Sequence, residues 1–221
     1  MNHQHQNTAF EHMPNSLHGL YLITNDDPLD IILEKISIAL ATQQIALLQY
    51  RRKKVEKSKQ DAEIEKILNI CNHFNVPLII NDDLEQAHRF GLHLHLGQDD
   101  GSIIEARQVL GESAIIGRTC LNDLSLAELA IKDGASYVAF GAIYGSTTKP
   151  DAGNIGLDVL KQANTQFQIP ICAIGGLTAE NSQPVINAGA DLCAVVSDIL
   201  GLDTNQIPQR IEAWSALFNH I

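Results

Sequence analysis

Gln49, Arg51 and Lys53 recur at two-residue spacing, and two acidic segments follow, Asn81-Asp82-Asp83 and Gly97-Gln98-Asp99-Asp100. Each of the three follows a short apolar run, as the carboxyl end of a buried β-strand does. In a strand, residues i, i+2 and i+4 share one face. Gln49, Arg51 and Lys53 are therefore expected to point together, an amide beside two positive charges. Carboxylates at two neighbouring strand ends offer what a hard cation such as Mg²⁺ needs, with positions left for phosphate oxygens and water. Cations and a metal site on one rim point to a diphosphate substrate.

Two glycine- and hydroxyl-containing turns carry phosphate chemistry as well. Ile174-Gly175-Gly176-Leu177-Thr178, followed by Asn181 and a helical segment, lets backbone N–H groups come close to phosphate oxygens. Val195-Val196-Ser197-Asp198 follows the last predicted strand and is expected to complete that cradle. The alternative is a pair of tight turns in which Thr178 and Ser197 cap helices. The longest loop, 141–151, holds Ser146, Thr147, Thr148 and Lys149, three hydroxyls and a cation that suit a second phosphate group. Its continuation, 149–156, has the composition of a lid, with Gly153 and Gly156 as hinges; by itself it reads equally well as a solvated loop.

The elements that must position these residues alternate along the whole chain. Strands are predicted at 19–24, 45–50, 77–81, 92–96, 114–119, 137–141, 170–174 and 191–196. Helical spacing occupies 30–42, 57–74, 83–90, 103–110, 124–133, 157–163, 181–188 and 206–218. The strands are continuous apolar runs, as parallel strands covered on both faces require. Gly134 and Gly189 stand where a helix stops and a strand follows. With about 25 residues per strand–helix unit, a single-domain α/β fold, the (β/α)₈ TIM barrel, is expected over residues 17–221. An open doubly wound sheet is the alternative. Active residues of such a barrel lie beyond the carboxyl ends of its strands, where Arg51, Lys53, Asn81, Asp82, Asp100, Thr119, Gly176, Val196 and Ser197 all fall.

Composition narrows the partners. The 221 residues, 45% hydrophobic, suffice for one sizeable core. A formal net charge of −11 argues against nucleic acid, while leaving room for a local cluster of cations around a small anion. No apolar run reaches the ~18 residues of a membrane span. Residues 1–16 are polar, rich in His and Asn, without an apolar signal-peptide core, and read as a disordered or loosely docked tail. The four cysteines, Cys71, Cys120, Cys172 and Cys193, form no C-x-x-C pair and read as buried thiols of a cytoplasmic protein. A catalytic thiol at Cys120 or Cys172 is the weaker reading. His93 and His95 share a strand face, but a His-ligated hydrolase site needs further ligands on other strand tips, so both read as packed, hydrogen-bonded side chains.

The ordered set Gln49-x-Arg51-x-Lys53, Asn81-Asp82-Asp83, His95-x-Gly97-Gln98-x-Asp100, Gly141-x-Ile143-Tyr144, Thr148-Lys149 and Gly175-Gly176 resembles the thiamine-phosphate synthase family over almost the whole chain after the tail. That resemblance implies a transferase of thiamine biosynthesis. It would join 4-amino-5-hydroxymethyl-2-methylpyrimidine diphosphate to 4-methyl-5-(2-phosphoethyl)thiazole, or its carboxylate, releasing diphosphate. It implies Gln49, Arg51, Lys53 and Asn81 around the pyrimidine diphosphate, with Thr119 and Lys149 closing on it. Asp82 and Asp100 would be the Mg²⁺ ligands. Ser146, Thr147 and Thr148, with Gly176, Val196 and Ser197, would seat the thiazole phosphate. Lys149, Arg51, Lys53 and Thr119 would carry catalysis. The partners implied are small molecules, and a homo-oligomer stays open.

Two departures stand out: Thr119-Cys120-Leu121 where the family usually has a Ser followed by a His-containing step, and Gly145-Ser146 where it has Pro-Thr. The rival functions are a thiazole tautomerase, an isomerase on the same barrel, and a non-catalytic barrel that binds a phosphate ligand. The tautomerase needs a proton-transferring group, and Leu121 stands where a His would serve.

Overall fold

In the computed structural model, which describes residues 17–145 and 155–219, eight parallel strands close into a barrel in sequence order. They are β1 (Gly19–Ile23), β2 (Ile45–Tyr50), β3 (Leu78–Asn81), β4 (His93–Leu96), β5 (Ile116–Leu121), β6 (Tyr137–Phe140), β7 (Ile171–Ile174) and β8 (Leu192–Val195). Around them run α1 (Leu29–Ala41), α2 (Lys57–Phe74), α3 (Leu84–Phe90), α4 (Ile103–Leu110), α5 (Leu124–Lys132), α6 (Asp158–Gln166), α7 (Gln183–Asn187), α8 (Ser197–Leu200) and α9 (Ile207–Phe218). The expected (β/α)₈ barrel is the fold, and β8 pairs with β1 to close it. The tail over 1–16 lies outside the described residues.

Two details differ from expectation. Strand β5 runs on to Leu121, because its pairing with β6 shifts register between Thr119 and Leu121 and resumes beyond the irregularity. Helix α8 is one turn long, too short for a 3.6-residue period to register in the sequence.

Both faces of the strands are buried, which explains their unbroken apolar composition. Outward residues such as Leu22, Leu48, Ile80 and Phe140 pack with helical Ile36, Ile64 and Trp214 in one cluster. Inward residues Tyr21, Leu47, Ile79, Ile115, Tyr137 and Leu192 belong to a second cluster inside the barrel. All four cysteines are buried and free. Desolvation pushes the thiols of Cys71, Cys120 and Cys193 up to about 12 and that of Cys172 well above its usual value. Neutral thiols of that kind are poor nucleophiles, so the catalytic-thiol reading has no support.

The interior is tightly fitted around Tyr137, which is fully buried. Gly117 on the adjacent strand β5 leaves the room its ring occupies: a Cβ at 117 would collide with ring carbon Cζ and with the hydroxyl. The neighbour is a rigid aromatic ring between packed strands, so there is little space to yield. Gly117→Ala is expected to lower stability by about 1–3 kcal/mol, the usual cost of overpacking a core, measured by urea denaturation. A change within about 0.5 kcal/mol would mean that the Tyr137 ring moves freely.

Candidate active site

At the carboxyl end of β2 the chain splits consecutive cations between two jobs. Arg51 sits half-buried at the mouth, its N–H donating to Thr24 Oγ1 at 2.7 Å. Arg52 turns outward and is only 5% exposed. Its guanidinium meets Glu63 of α2 at 2.7 and 3.3 Å and donates to the carbonyls of Asn25 and Asp27 at 2.9 and 2.7 Å. Tyr50 also donates to Glu63 at 2.9 Å. Arg52 is thus a structural clamp, and Arg51 and Lys53 remain the rim cations. Lys53 lies in the turn after β2 rather than on the strand, and its ammonium pairs with Asp82 at 2.9 Å.

Asp82 is the hub of the acidic corner. It adopts a left-handed conformation at φ 66°, one that Asp and Asn tolerate better than most residues. Its N–H donates to His95 O at 2.8 Å, while its carboxylate accepts from Gly97 N at 3.3 Å, Asn81 Nδ2 at 2.5 Å and Lys53. Asp100 reaches across from the loop after β4 and shares a hydrogen bond with the Asp82 carboxyl. Gly97 makes this approach feasible, because a Cβ there would run into the Asp100 carboxyl. Burial alone would raise the pKa of Asp82, but Lys53, Asn81 and Asp100 together hold it below the usual carboxylate value. Asp100 goes the other way, raised by burial and by the negative charge and hydrogen bond of Asp82. Two carboxyls pressed together in this way form an acidic pair that a divalent cation would relieve.

Beneath the rim a chain of polar side chains crosses the barrel. Gln49 Nε2 donates to Tyr21 Oη at 2.7 Å; Tyr21 Oη meets Tyr137 Oη at 2.9 Å; Tyr137 Oη meets His95 Nδ1 at 2.8 Å; His95 Nε2 meets Thr119 Oγ1 at 2.8 Å. Five strands contribute. Burial is the main cause holding the His95 pKa down to about 4; Asp82 opposes this, and Arg118 and Arg51 add to it. His95 is therefore neutral at physiological pH, and burial does the same to His93, also at about 4. His93 Nδ1 accepts from Ile115 N at 3.1 Å.

Across the mouth, the turn after β7 packs against the loop after β6. Gly175 and Gly176 have φ of 104° and 64°, and Cβ atoms there would approach Ala142 Cβ at 2.5 Å and Gly145 O at 2.7 Å. Asn181 clamps the turn by accepting from Thr178 N at 2.8 Å and donating to Gly176 O at 2.9 Å. Asp198 ties this turn to α8 and the wall behind it, accepting from Ala179 N at 3.3 Å and Trp214 Nε1 at 2.7 Å. Val196 precedes α8 and Ser197 opens it, exposed.

The structure gathers Gln49, Arg51, Lys53, Asn81, Asp82, Asp100 and Thr119 at the tips of β2 to β5 and their loops, and Gly176, Val196 and Ser197 at those of β7 and β8. Arg51, Lys53, Asn81 and Asp82 line a cavity of about 450 Å³ together with Lys57, Asp83 and Gln86; Asp100 and Thr119 lie outside it. Ser146, Thr147, Thr148 and Lys149 lie outside the described residues. Tyr21 and Tyr137 escaped sequence reasoning because an aromatic residue in an apolar strand looks like core. Their only signal was a hydroxyl at alternate positions facing the same interior as Gln49 and His95.

Comparison with known proteins agrees with the motifs. The family model described as thiamine monophosphate synthase matches residues 20–199. The thiamine-phosphate synthase of Marinobacter nauticus is 44% identical over 203 residues, 90% of each chain. Among solved structures, thiamine phosphate pyrophosphorylase from Pyrococcus furiosus superposes with a TM-score of 0.80 at 24% identity, covering 93% of this chain and 97% of its own. The Bacteroides thetaiotaomicron protein of the same name gives 0.63 at 16%, covering 91% and 98%. At those identities the two structures bear on the fold alone. The sequence matches go further, and the chain belongs to the thiamine monophosphate synthase family and is an enzyme, a transferase.

Proposed function

We propose that this enzyme couples 4-amino-5-hydroxymethyl-2-methylpyrimidine diphosphate to a thiazole phosphate, or its carboxylate, forming thiamine phosphate and diphosphate with Mg²⁺. The observation that carries this reading is the corner where Asp82 and Asp100 face each other beside Lys53, with Arg51 on the same rim. Two carboxylates at an open rim fit Mg²⁺, which is commonly held by one or two carboxylates and completes its shell with substrate phosphates and water. When bound, the ion would neutralise charge on the diphosphate.

The remaining chemistry belongs to the chain. The bond between the benzylic-type methylene carbon and the diphosphate oxygen breaks, and its electron pair leaves with the diphosphate. The electron-rich aminopyrimidine carries the resulting positive charge until the thiazole nitrogen donates its lone pair to that carbon. No side-chain nucleophile is required. Arg51, Lys53 and Lys149 stabilise the departing oxygens, an electrostatic role for preorganised charges. Gln49 and Asn81 orient the pyrimidine diphosphate, and Thr119 closes on it. Ser146, Thr147, Thr148, Gly176, Val196 and Ser197 receive the thiazole phosphate. The isomerase alternative has weaker support: Leu121 is 51% exposed where a proton carrier would serve, and both ring nitrogens of His95 are engaged inside the barrel. A coupling assay with both substrates, with and without Mg²⁺, tests the proposal. Isomerisation of the thiazole without coupling would replace it.

Asp82→Ala should abolish coupling and calorimetric Mg²⁺ binding while leaving the fold intact, since the side chain is at the mouth and not in the core. Turnover near the wild-type rate would remove Asp82 from the metal site.

Lys149→Met keeps most of the aliphatic stem and deletes the charge. Turnover should fall by ~10² or more, the scale of losing one preorganised stabilising group, with a smaller change in apparent affinity. Lys149→Arg should recover only part, because a planar fork does not reproduce a compact ammonium. In rapid-quench measurements, an unchanged rate of diphosphate release in Lys149→Met would make Lys149 a solvated loop charge.

A further inference from the structure

The chain Gln49–Tyr21–Tyr137–His95–Thr119 has a direction, and that direction reaches the substrate. Each hydroxyl or ring nitrogen in it can give one hydrogen to one neighbour, so fixing one link fixes the rest. At one end the Gln49 amide N–H donates to Tyr21 Oη. Tyr21 is 1% exposed, and the other partner of its hydroxyl is Tyr137 Oη. Having accepted from Gln49, Tyr21 has to spend its own hydrogen on Tyr137. Otherwise a buried O–H would be left without an acceptor, at a cost comparable to a lost hydrogen bond. Tyr137 in turn donates to His95 Nδ1. A ring that accepts at Nδ1 carries its proton on Nε2, and it donates that proton to Thr119 Oγ1. The hydroxyl hydrogen of Thr119 finds no acceptor among the described residues, and Thr119 is the one member of the line that is not buried.

The far end leads to the same direction independently. A diphosphate oxygen accepts hydrogen bonds and has none to give. If Thr119 donates upward to such an anion, its contact with His95 Nε2 at 2.8 Å can only be a hydrogen bond received from the ring. The reversed chain would point the Thr119 hydrogen down at His95 and present bare lone pairs to an anion.

We propose that this barrel-crossing chain is a one-way hydrogen-bond relay that locks His95 as the Nε2–H tautomer and turns the Thr119 hydroxyl hydrogen toward an acceptor-only oxyanion of the substrate. Tyr21, Tyr137 and His95 are positioning residues in this scheme; Thr119, at the end of the relay, offers its hydroxyl to the substrate. The proposal deepens the synthase reading and rests on it for the identity of the anion, but the tautomer of His95 is a property of the free protein.

Two measurements test it. Two-bond ¹H–¹⁵N correlation spectra of protein labelled in its histidines, with the His95 signals assigned by their loss in His95→Gln, report which ring nitrogen carries the proton. The Nε2–H form is expected in the absence of any ligand, and Tyr137→Phe should release the lock and give a mixture of tautomers. An Nδ1–H ring, or an exchanging one in the wild-type protein, overturns the relay whatever the enzyme's substrate is. In the coupling assay, Tyr137→Phe should lower kcat about tenfold, the scale of one lost hydrogen bond, with KM moved little. In a Thr119→Val background the same change should have no further effect, because the hydroxyl it orients is gone. Additive losses in the double variant would make Tyr137 a packing residue and sink the proposal. A chain that couples no substrate but shows the Nε2–H tautomer would leave the relay standing and remove the synthase reading.

Discussion

Closing eight parallel strands leaves an interior filled by layers of side chains, and any polar atom placed there must find a hydrogen-bond partner within it. Much of this molecule follows from that constraint. The interior holds two tyrosine hydroxyls, a glutamine amide and an imidazole, and they satisfy one another in a single line from β2 to β5. Room for the line is made by leaving out a side chain: Gly117 contributes none, and the Tyr137 ring occupies its place. A buried network of this kind is valuable only when complete, since one unpaired member costs more than the network contributes. The same enclosure keeps His95 neutral and denies its ring to solvent.

A second buried polar group acts outside the barrel. Replacing a buried ion pair with apolar residues is often neutral for stability, whereas removing one partner typically costs about 3–5 kcal/mol. The value of Arg52 therefore lies in geometry more than in energy. Its guanidinium joins α2, through Glu63, to the carbonyls of Asn25 and Asp27 beyond β1. That holds the β1 and β2 loops together at the point where Arg51 has to face inward. Adjacent arginines serve opposite faces because successive residues of an extended chain point in opposite directions.

The electrostatics of the mouth are local and run against the whole-chain charge of −11. Arg51 and Lys53 stand beside Asp82, whose backbone is bent into the left-handed region so that its carboxyl meets Asp100. Charges of both signs held within one corner suit a ligand that brings phosphate and a cation together. On the far side, close contact between backbone atoms at Gly175, Gly176 and Gly145 draws the β6 and β7 loops together. The two halves of the mouth are thus built differently, one from side-chain charge and one from backbone proximity.

What the sequence determined by itself is the architecture and the rim. Continuous apolar strands and periodic helices in strict alternation can bury both faces of a parallel sheet only with helices around it, and polar residues at strand ends must then gather at one mouth. Arg51, Asn81, Asp82, Asp100 and Thr119 were legible as mouth positions for that reason, as was the family, from motifs whose order spans the chain; Gln49, expected to point with Arg51 and Lys53, is instead buried on Tyr21. Lys53 was legible as a rim cation, though not its place in a turn, since a two-residue spacing cannot show where a strand stops. Only the tertiary structure decided that Arg52 is a clamp, that Asp82 and Asp100 touch, and that Tyr21, Tyr137 and His95 form one line. Those pairs are separated by 11 to 116 residues along the chain, and no local periodicity encodes a contact that exists only once the barrel closes.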